Sequence, residues 1–208
     1  MRYGFVGTSG SARQLLSLAV EAERAGWDGF FTWDGISIAE TESFDPWTLL
    51  GAAAVRTSTI RLGAMVFSLP RRRPWVVARQ AITVDHLSGG RLIMPVGLGA
   101  VGDGGDSMVS GEIMDPARRV DALDDTLAIL DLAWTGESFT YTGPEYQVQD
   151  LVLQPRPVQN PRIPIWVVAS WPAPTAMNRA IAWDGILPSR FGDPIEPLGP
   201  EEIAEMVN

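Results

Sequence analysis

The residues able to do chemistry in this chain are few. Cysteine is absent and there is one histidine, His86. In folds that alternate strands and helices, reactive groups gather at the C-terminal ends of the parallel strands. There the sequence offers Gly7, Thr8 and Ser9, then Trp33, Asp34 and Gly35, then Ser68 with the run Arg71-Arg72-Arg73. It also offers Gly97, Leu98 and Gly99, then Ser170 and Trp171, then Ser189 and Arg190. His86 precedes its strand, at the opposite end, so a Ser-His-Asp arrangement has no base within reach. A zinc centre needs about three protein ligands, usually His or Cys, and no metal site is expected. A mouth poor in acids and bases but rich in Gly, Trp and Met suits a bound cofactor that carries the chemistry itself. The Gly97-Leu98-Gly99 backbone permits close approach by a flat ring, although glycine at a strand end is more often a turn. Trp33 and Trp171 read either as ring-stacking groups or as rim and core. The arginine run reads either as a solvated loop or as a local anion site. A metal- or phosphate-dependent lyase would need a carboxylate cluster, for which only Asp34, Asp103 and Asp106 are candidates.

The elements that must position these groups alternate along the chain. Short apolar strands are predicted at 3–8, 28–33, 60–69, 91–99, 163–170 and 184–189. The apolar spacing of Leu15, Leu16, Ala19, Val20 and Ala22 predicts a helix over 11–26, closed by Gly26. Asp45-Pro46 and Asp115-Pro116 pair a capping aspartate with a proline that starts a helix. Pro74 opens another helix, which stops at Ser88-Gly89-Gly90. That stop lies at the face of the fold concerned with stability, with His86 placed to favour the negative helix end. Two alternating runs around "TGPEY" (142–146) predict a hairpin. Short helices follow at "APTAMNRAIAW" and "EEIAEMVN". Continuous apolar strands such as "IWVVA" are buried on both faces, as in parallel sheets. An open doubly wound sheet and a (β/α)8 barrel both accommodate the order. A barrel needs eight strands, and about six βα units are readable.

Composition narrows the function classes. The chain has 208 residues, 46% of them hydrophobic and 20% charged. That describes a single globular domain over 1–208. The net charge of −9 argues against a nucleic-acid partner. No apolar run reaches the roughly 20 residues needed to cross a bilayer, and the N-terminus has no signal-peptide core. The absence of cysteine fits a cytoplasmic protein.

Four stretches carry a resemblance: "AGWDGFFTWD", "DPWTLLGAAAVRTSTIRLGAMVFSLPRRRPWVVARQAITVDHLSGGRLIMPVGLG", "PRPVQNPRIPIWV" and "RAIAWDGILP". In order and spacing they closely resemble the bacterial-luciferase-like flavin monooxygenases. The resemblance implies a TIM-type (β/α)8 barrel, here shortened to about six units. It implies FMN or coenzyme F420 at the C-terminal face, NAD(P)H as a possible reductant, and a small organic substrate. By position it places Ala64, Met65 and Val66 at a strand-three bulge behind the ring, often with a non-proline cis peptide. It places Gly97, Leu98 and Gly99 beside the cofactor, Ser170 and Trp171 near its phosphate, and Trp33 at the mouth. Asp34 is the candidate catalytic residue as a polar contact; the histidine many relatives carry after strand two is Gly35 here, so a proton that such a histidine would donate is missing. A non-catalytic flavin-binding protein, or a shortened barrel completed by a partner, is the alternative. Six strands in an open arc would expose strands one and six to pairing, so a homo-oligomer is expected.

Overall fold

The structure, a computed structural model, describes residues 1–38, 40–99, 105–190 and 198–206. Asp103 lies outside them. The elements run β1 (Gly4–Val6), α1 (Ala12–Arg24), β2 (Gly29–Thr32), α2 (Pro46–Ala54), β3 (Arg61–Ala64), β4 (Phe67–Ser68) and α3 (Pro74–Ser88). They continue with β5 (Met94–Gly97), α4 (Pro116–Ala133), β6 (Phe139–Thr142), β7 (Gln147–Leu151), β8 (Ile165–Trp171), α5 (Pro174–Ile181), β9 (Gly185–Arg190) and α6 (Pro200–Met206).

The helix starts follow their caps. Ser11 and Gln14 close a reciprocal capping box on α1, and the Asp45 and Asp115 carboxylates accept the amides of Thr48 and Arg118. α3 ends on Gly89 in the left-handed region at φ 65°.

All barrel pairings are parallel. One group is ordered β1-β2-β3 and the other β4-β5-β8-β9, and a bridge from Leu62 to Leu92 joins them into one arc. β3 and β4 are the single strand predicted at 60–69, divided at Met65–Val66, whose peptide is cis. Together they take one position, so the arc fills six positions of a (β/α)8 barrel. β6 and β7 form the predicted antiparallel hairpin. Asp125 of α4 fastens it, accepting the Tyr141 hydroxyl at 2.7 Å and the amides of Glu145 and Tyr146.

Strand alternation separates two surfaces. Leu62, Ala64, Phe67, Met94, Val96, Ile165, Val167 and Ala169 face the helices and are buried. Phe31 faces inward and meets Trp166 across the barrel, ring centroids 6.3 Å apart. Its ring needs glycine around it. A Cβ on Gly4, Gly29 or Gly63 would lie within 3.0 Å of Phe31, and at Gly63 also 2.7 Å from the Ile93 carbonyl. The outer strands β1 and β9 each have one strand neighbour among the described residues. Val6 and Ile186, one on each, are exposed.

The N-terminal face is locked by buried charge. Asp85 accepts the amides of Val158 and Gln159 and the Gln159 side chain. The His86 ring contacts the Arg156 carbonyl through Nε2 at 2.7 Å, while its backbone carbonyl accepts the Gly89 amide at 3.1 Å. His86 stands in the last turn of α3 and joins that helix to the proline-rich connection, and Gly89 supplies the cap.

Glu23 accepts the amides of Ser58, Thr59 and Ile60 through Oε1. Burial raises its pKa, but these amides outweigh burial and hold it at about 2, below an ordinary 4.5. A group whose folded pKa is depressed stabilises the fold above its unfolded pKa. The contribution is therefore complete above about pH 4.5 and is lost as the pH falls toward about 2. Glu23→Gln should lower the urea midpoint at pH 7 and match the wild type near pH 2. Equal midpoints at pH 7 would refute this role.

Candidate functional site

The strand ends bring the predicted residues together unequally. On the inner wall, Gly97 sits between Val66 and Val168. A Cβ there would lie 2.9 Å from Val168 Cγ2 and 3.3 Å from Val66 Cγ2. Ser68 pairs with Gly97, and Leu187 with Val168, so both share this wall. Ser170 continues it at the end of β8. Its neighbour Trp171 alternates to the helix side and packs against the core, as does Ala64. These two side chains therefore lie away from the inner wall. Met65 and Val66 are half-buried. Trp33 stands 37% exposed at the rim.

Gly99 has a specific reason to be glycine. Its φ is +75°, and a Cβ would collide with the Ser68 hydroxyl. The side of Gly99 read as open to a flat ring is thus filled by Ser68 and by Arg119. Both hold the preceding residue: Ser68 Oγ donates to the Leu98 carbonyl at 2.9 Å and Arg119 Nη2 donates to the same oxygen.

Asp34 is not free in a cleft. Its side chain is 2% exposed and its Oδ1 pairs with Arg71 at 2.9 Å and Arg72 at 2.7 Å. Its Oδ2 accepts the Ser68 amide and Arg72 Nε, both at 3.1 Å. Arg71 also donates to the Asp34 carbonyl at 2.8 Å and lies 3.5 Å from Asp106. Asp106 in turn takes Arg119 at 3.1 Å. The solvated-loop reading of the arginine run holds for exposed Arg73 alone. Arg71 keeps 6% exposure because two carboxylates draw it inward. Burial opposes the Arg72 charge, but the hydrogen bond and charge of Asp34 raise its pKa overall. Beside this cluster, burial first and Asp106 second push the Glu112 carboxyl up.

The network was partly hidden in the sequence. Asp106 was visible only as a candidate carboxylate. Arg119 sits in "DPARR", where the capping signal gives no reason to bury one arginine and expose the next. Asp34 and Asp106 are both committed to arginines, and no group of three His, Asp or Glu residues is placed to hold a metal ion among the described residues.

The Ser170 hydroxyl and the Gly99 N–H have no hydrogen-bond partner among the described residues. Small apolar walls with free donors at their upper edge fit a flat heteroaromatic ring with polar edge atoms. The family model for luciferase-like monooxygenases matches residues 3–195. The chain belongs to this family. An F420-dependent glucose-6-phosphate dehydrogenase from Microbacterium testaceum (strain StLB037) is 30% identical over 202 residues, covering 93% of this chain and 58% of the relative. The 4-hydroxyprotoasukamycin monooxygenase of Streptomyces nodosus subsp. asukaensis is 33% identical over 189 residues, covering 88% and 49%. The crystal structure of monooxygenase RslO1 from Streptomyces bottropensis superimposes with a TM-score of 0.82 at 23% identity, over 100% of this chain and 64% of that one. The chain thus spans about half the length of the curated relatives it matches. Among the described residues no helix is long and apolar enough to cross a membrane.

Proposed function

We propose that this luciferase-like chain holds FMN or F420 at the strand ends and oxidises or oxygenates a small organic molecule, with NAD(P)H as a possible reductant. The observation that carries the reading is the inner wall of Val66, Gly97 and Val168, with the Ser170 hydroxyl and Gly99 amide at its upper edge, neither of which has a hydrogen-bond partner among the described residues. The bound cofactor would supply hydride transfer and, for a flavin, oxygen activation. The chain's own residues supply the rest. Val66, Val168 and Leu187 exclude water from one side of the ring. Trp33 covers the rim. Asp34 acts as a positioning residue, fixing Ser68 and the two arginines; this replaces a direct catalytic contact in our reading. A cytoplasmic location is in keeping with the absence of cysteine.

Absorbance titration of the purified protein with FMN and F420, separately, tests this. Saturable binding in the micromolar range or tighter by either is expected. FMN fluorescence should be quenched on binding, and Trp33→Phe should recover part of it. A folded protein that binds neither would sink the proposal.

A second reading has its own support: among the described residues β1 and β9 each have an unpaired edge, and Val6 and Ile186 are exposed on them. Unpaired edges favour pairing with another chain. We propose a homo-oligomer that completes the barrel wall, whether or not the protein is a catalyst. Size-exclusion chromatography with light scattering should report a mass above 22.6 kDa. A stable soluble monomer would rule the oligomer out.

A further inference from the structure

We propose that Arg119 and Ser68 are positioning residues that hold the Leu98–Gly99 peptide so that the Gly99 N–H donates to the bound cofactor; this rests on the cofactor reading above. The argument begins with peptide geometry. The Leu98–Gly99 bond is trans, so its C=O and N–H point in opposite directions. β5 lies between β4 and β8. Ser68, on β4, and Arg119, on α4, both donate to the Leu98 carbonyl and turn it to the β4 side. The Gly99 N–H must then face the β8 side, where the recorded β5–β8 register has ended at Val96 and Val167. Ser170 lies farther along β8 on the same inner wall.

Two donors on one carbonyl, one of them a buried guanidinium, fix this peptide more firmly than a free loop would be fixed. The guanidinium is held in turn. Arg119 Nη1 donates to Asp106 Oδ2 at 3.1 Å and to the Ile113 carbonyl at 2.9 Å. Asp106 reaches Arg71, and Arg71 reaches Asp34, whose Oδ2 accepts the Ser68 amide. The ends of β2, β4 and β5 are therefore joined around one peptide plane. The left-handed φ of Gly99 permits Ser68 to come this close. A buried network of this size is more than a turn requires, and its convergence on one carbonyl is what an amide aimed at a ligand needs.

The test uses the full chain, labelled with 15N, and titrated with FMN and F420 separately. Gly99 should show one of the largest amide shift changes on binding. Ser68→Ala leaves the ion pairs in place and removes one donor; it should weaken the Kd about 10-fold, the value of roughly one hydrogen bond. Arg119→Lys should weaken it further, and both variants should move the Gly99 amide resonance before any cofactor is added. Wild-type binding with an unmoved Gly99 amide, or variants that bind as tightly as the wild type, would overturn the positioning role and leave the cofactor site standing. Binding of neither cofactor by the folded wild type would overturn both.

Discussion

Asp34→Ala should destabilise the protein by about 3–5 kcal/mol, the usual cost of stripping a buried ion pair of one partner. For a chain of 208 residues this corresponds to a melting temperature lower by roughly 10 °C. The size follows from what the substitution leaves behind. Arg71 and Arg72 pair with the same carboxylate, and Arg71 is 6% exposed. Without the Asp34 carboxylate, Arg71 retains the main-chain carbonyl of residue 34 and, as its one carboxylate among the described residues, Asp106 at 3.5 Å, and the Ser68 amide loses its acceptor. Asp34→Asn keeps an oxygen for Ser68 and should fall between wild type and alanine. Thermal melts of the three proteins settle the matter. The asparagine variant also separates two roles. A protein with wild-type melting and no turnover would make Asp34 a catalytic residue; a lower melting temperature with cofactor affinity lost in parallel is the result expected of a positioning residue.

How far the site was legible depended on how local its signals were. The helix starts at Asp45-Pro46, Pro74 and Asp115-Pro116 rest on chemistry between residues three or fewer apart, and they stand where the sequence puts them. The strands could be found because burial on both faces makes them continuously apolar. The division at Met65–Val66 came from the family resemblance and not from periodicity. Partnerships between charges were harder to read. Arg71 and Asp34 are 37 residues apart in sequence, and Arg119 reaches Leu98 across 21. Nothing in "PRRRP" or "DPARR" distinguishes the buried arginine from the exposed one, because each is drawn inward by a carboxylate elsewhere in the chain. Gly99 shows the same limit. A glycine after a strand reads as room for a ligand, yet the space belongs to Ser68.

Arg91→Ala should cost a similar amount, about 4–5 kcal/mol, for a different physical reason. Arg91 ends the "LSGGR" stretch that separates α3 from β5. Its side chain has no carboxylate partner among the described residues. It donates instead to the carbonyls of Ala54, Thr57, Ile60 and Ser88 and to the Thr57 hydroxyl, at 2.7 to 2.9 Å. Ala54 is the last residue of α2, so the guanidinium also supplies donors where helix carbonyls lack them. Burial lowers its pKa, and the charge of Glu23 works in the other direction. An arginine stays protonated under such a load. Removing it strands five acceptors, each worth about 1 kcal/mol net. Lysine offers three donors from one point in place of a planar fork, so Arg91→Lys should recover less than half of the loss. Urea denaturation of the two variants measures both quantities. A lysine variant as stable as the wild type would show that charge, and not the fork, holds this face. The cofactor titration supplies the contrast with Asp34. Arg91 precedes β5 and Gly97 to Gly99 end and follow it, so folded Arg91→Lys protein should bind FMN or F420 with wild-type affinity. A Kd weakened as strongly as in Ser68→Ala would mean that the two ends of β5 are mechanically coupled and that the division between a stabilising face and a binding face fails here.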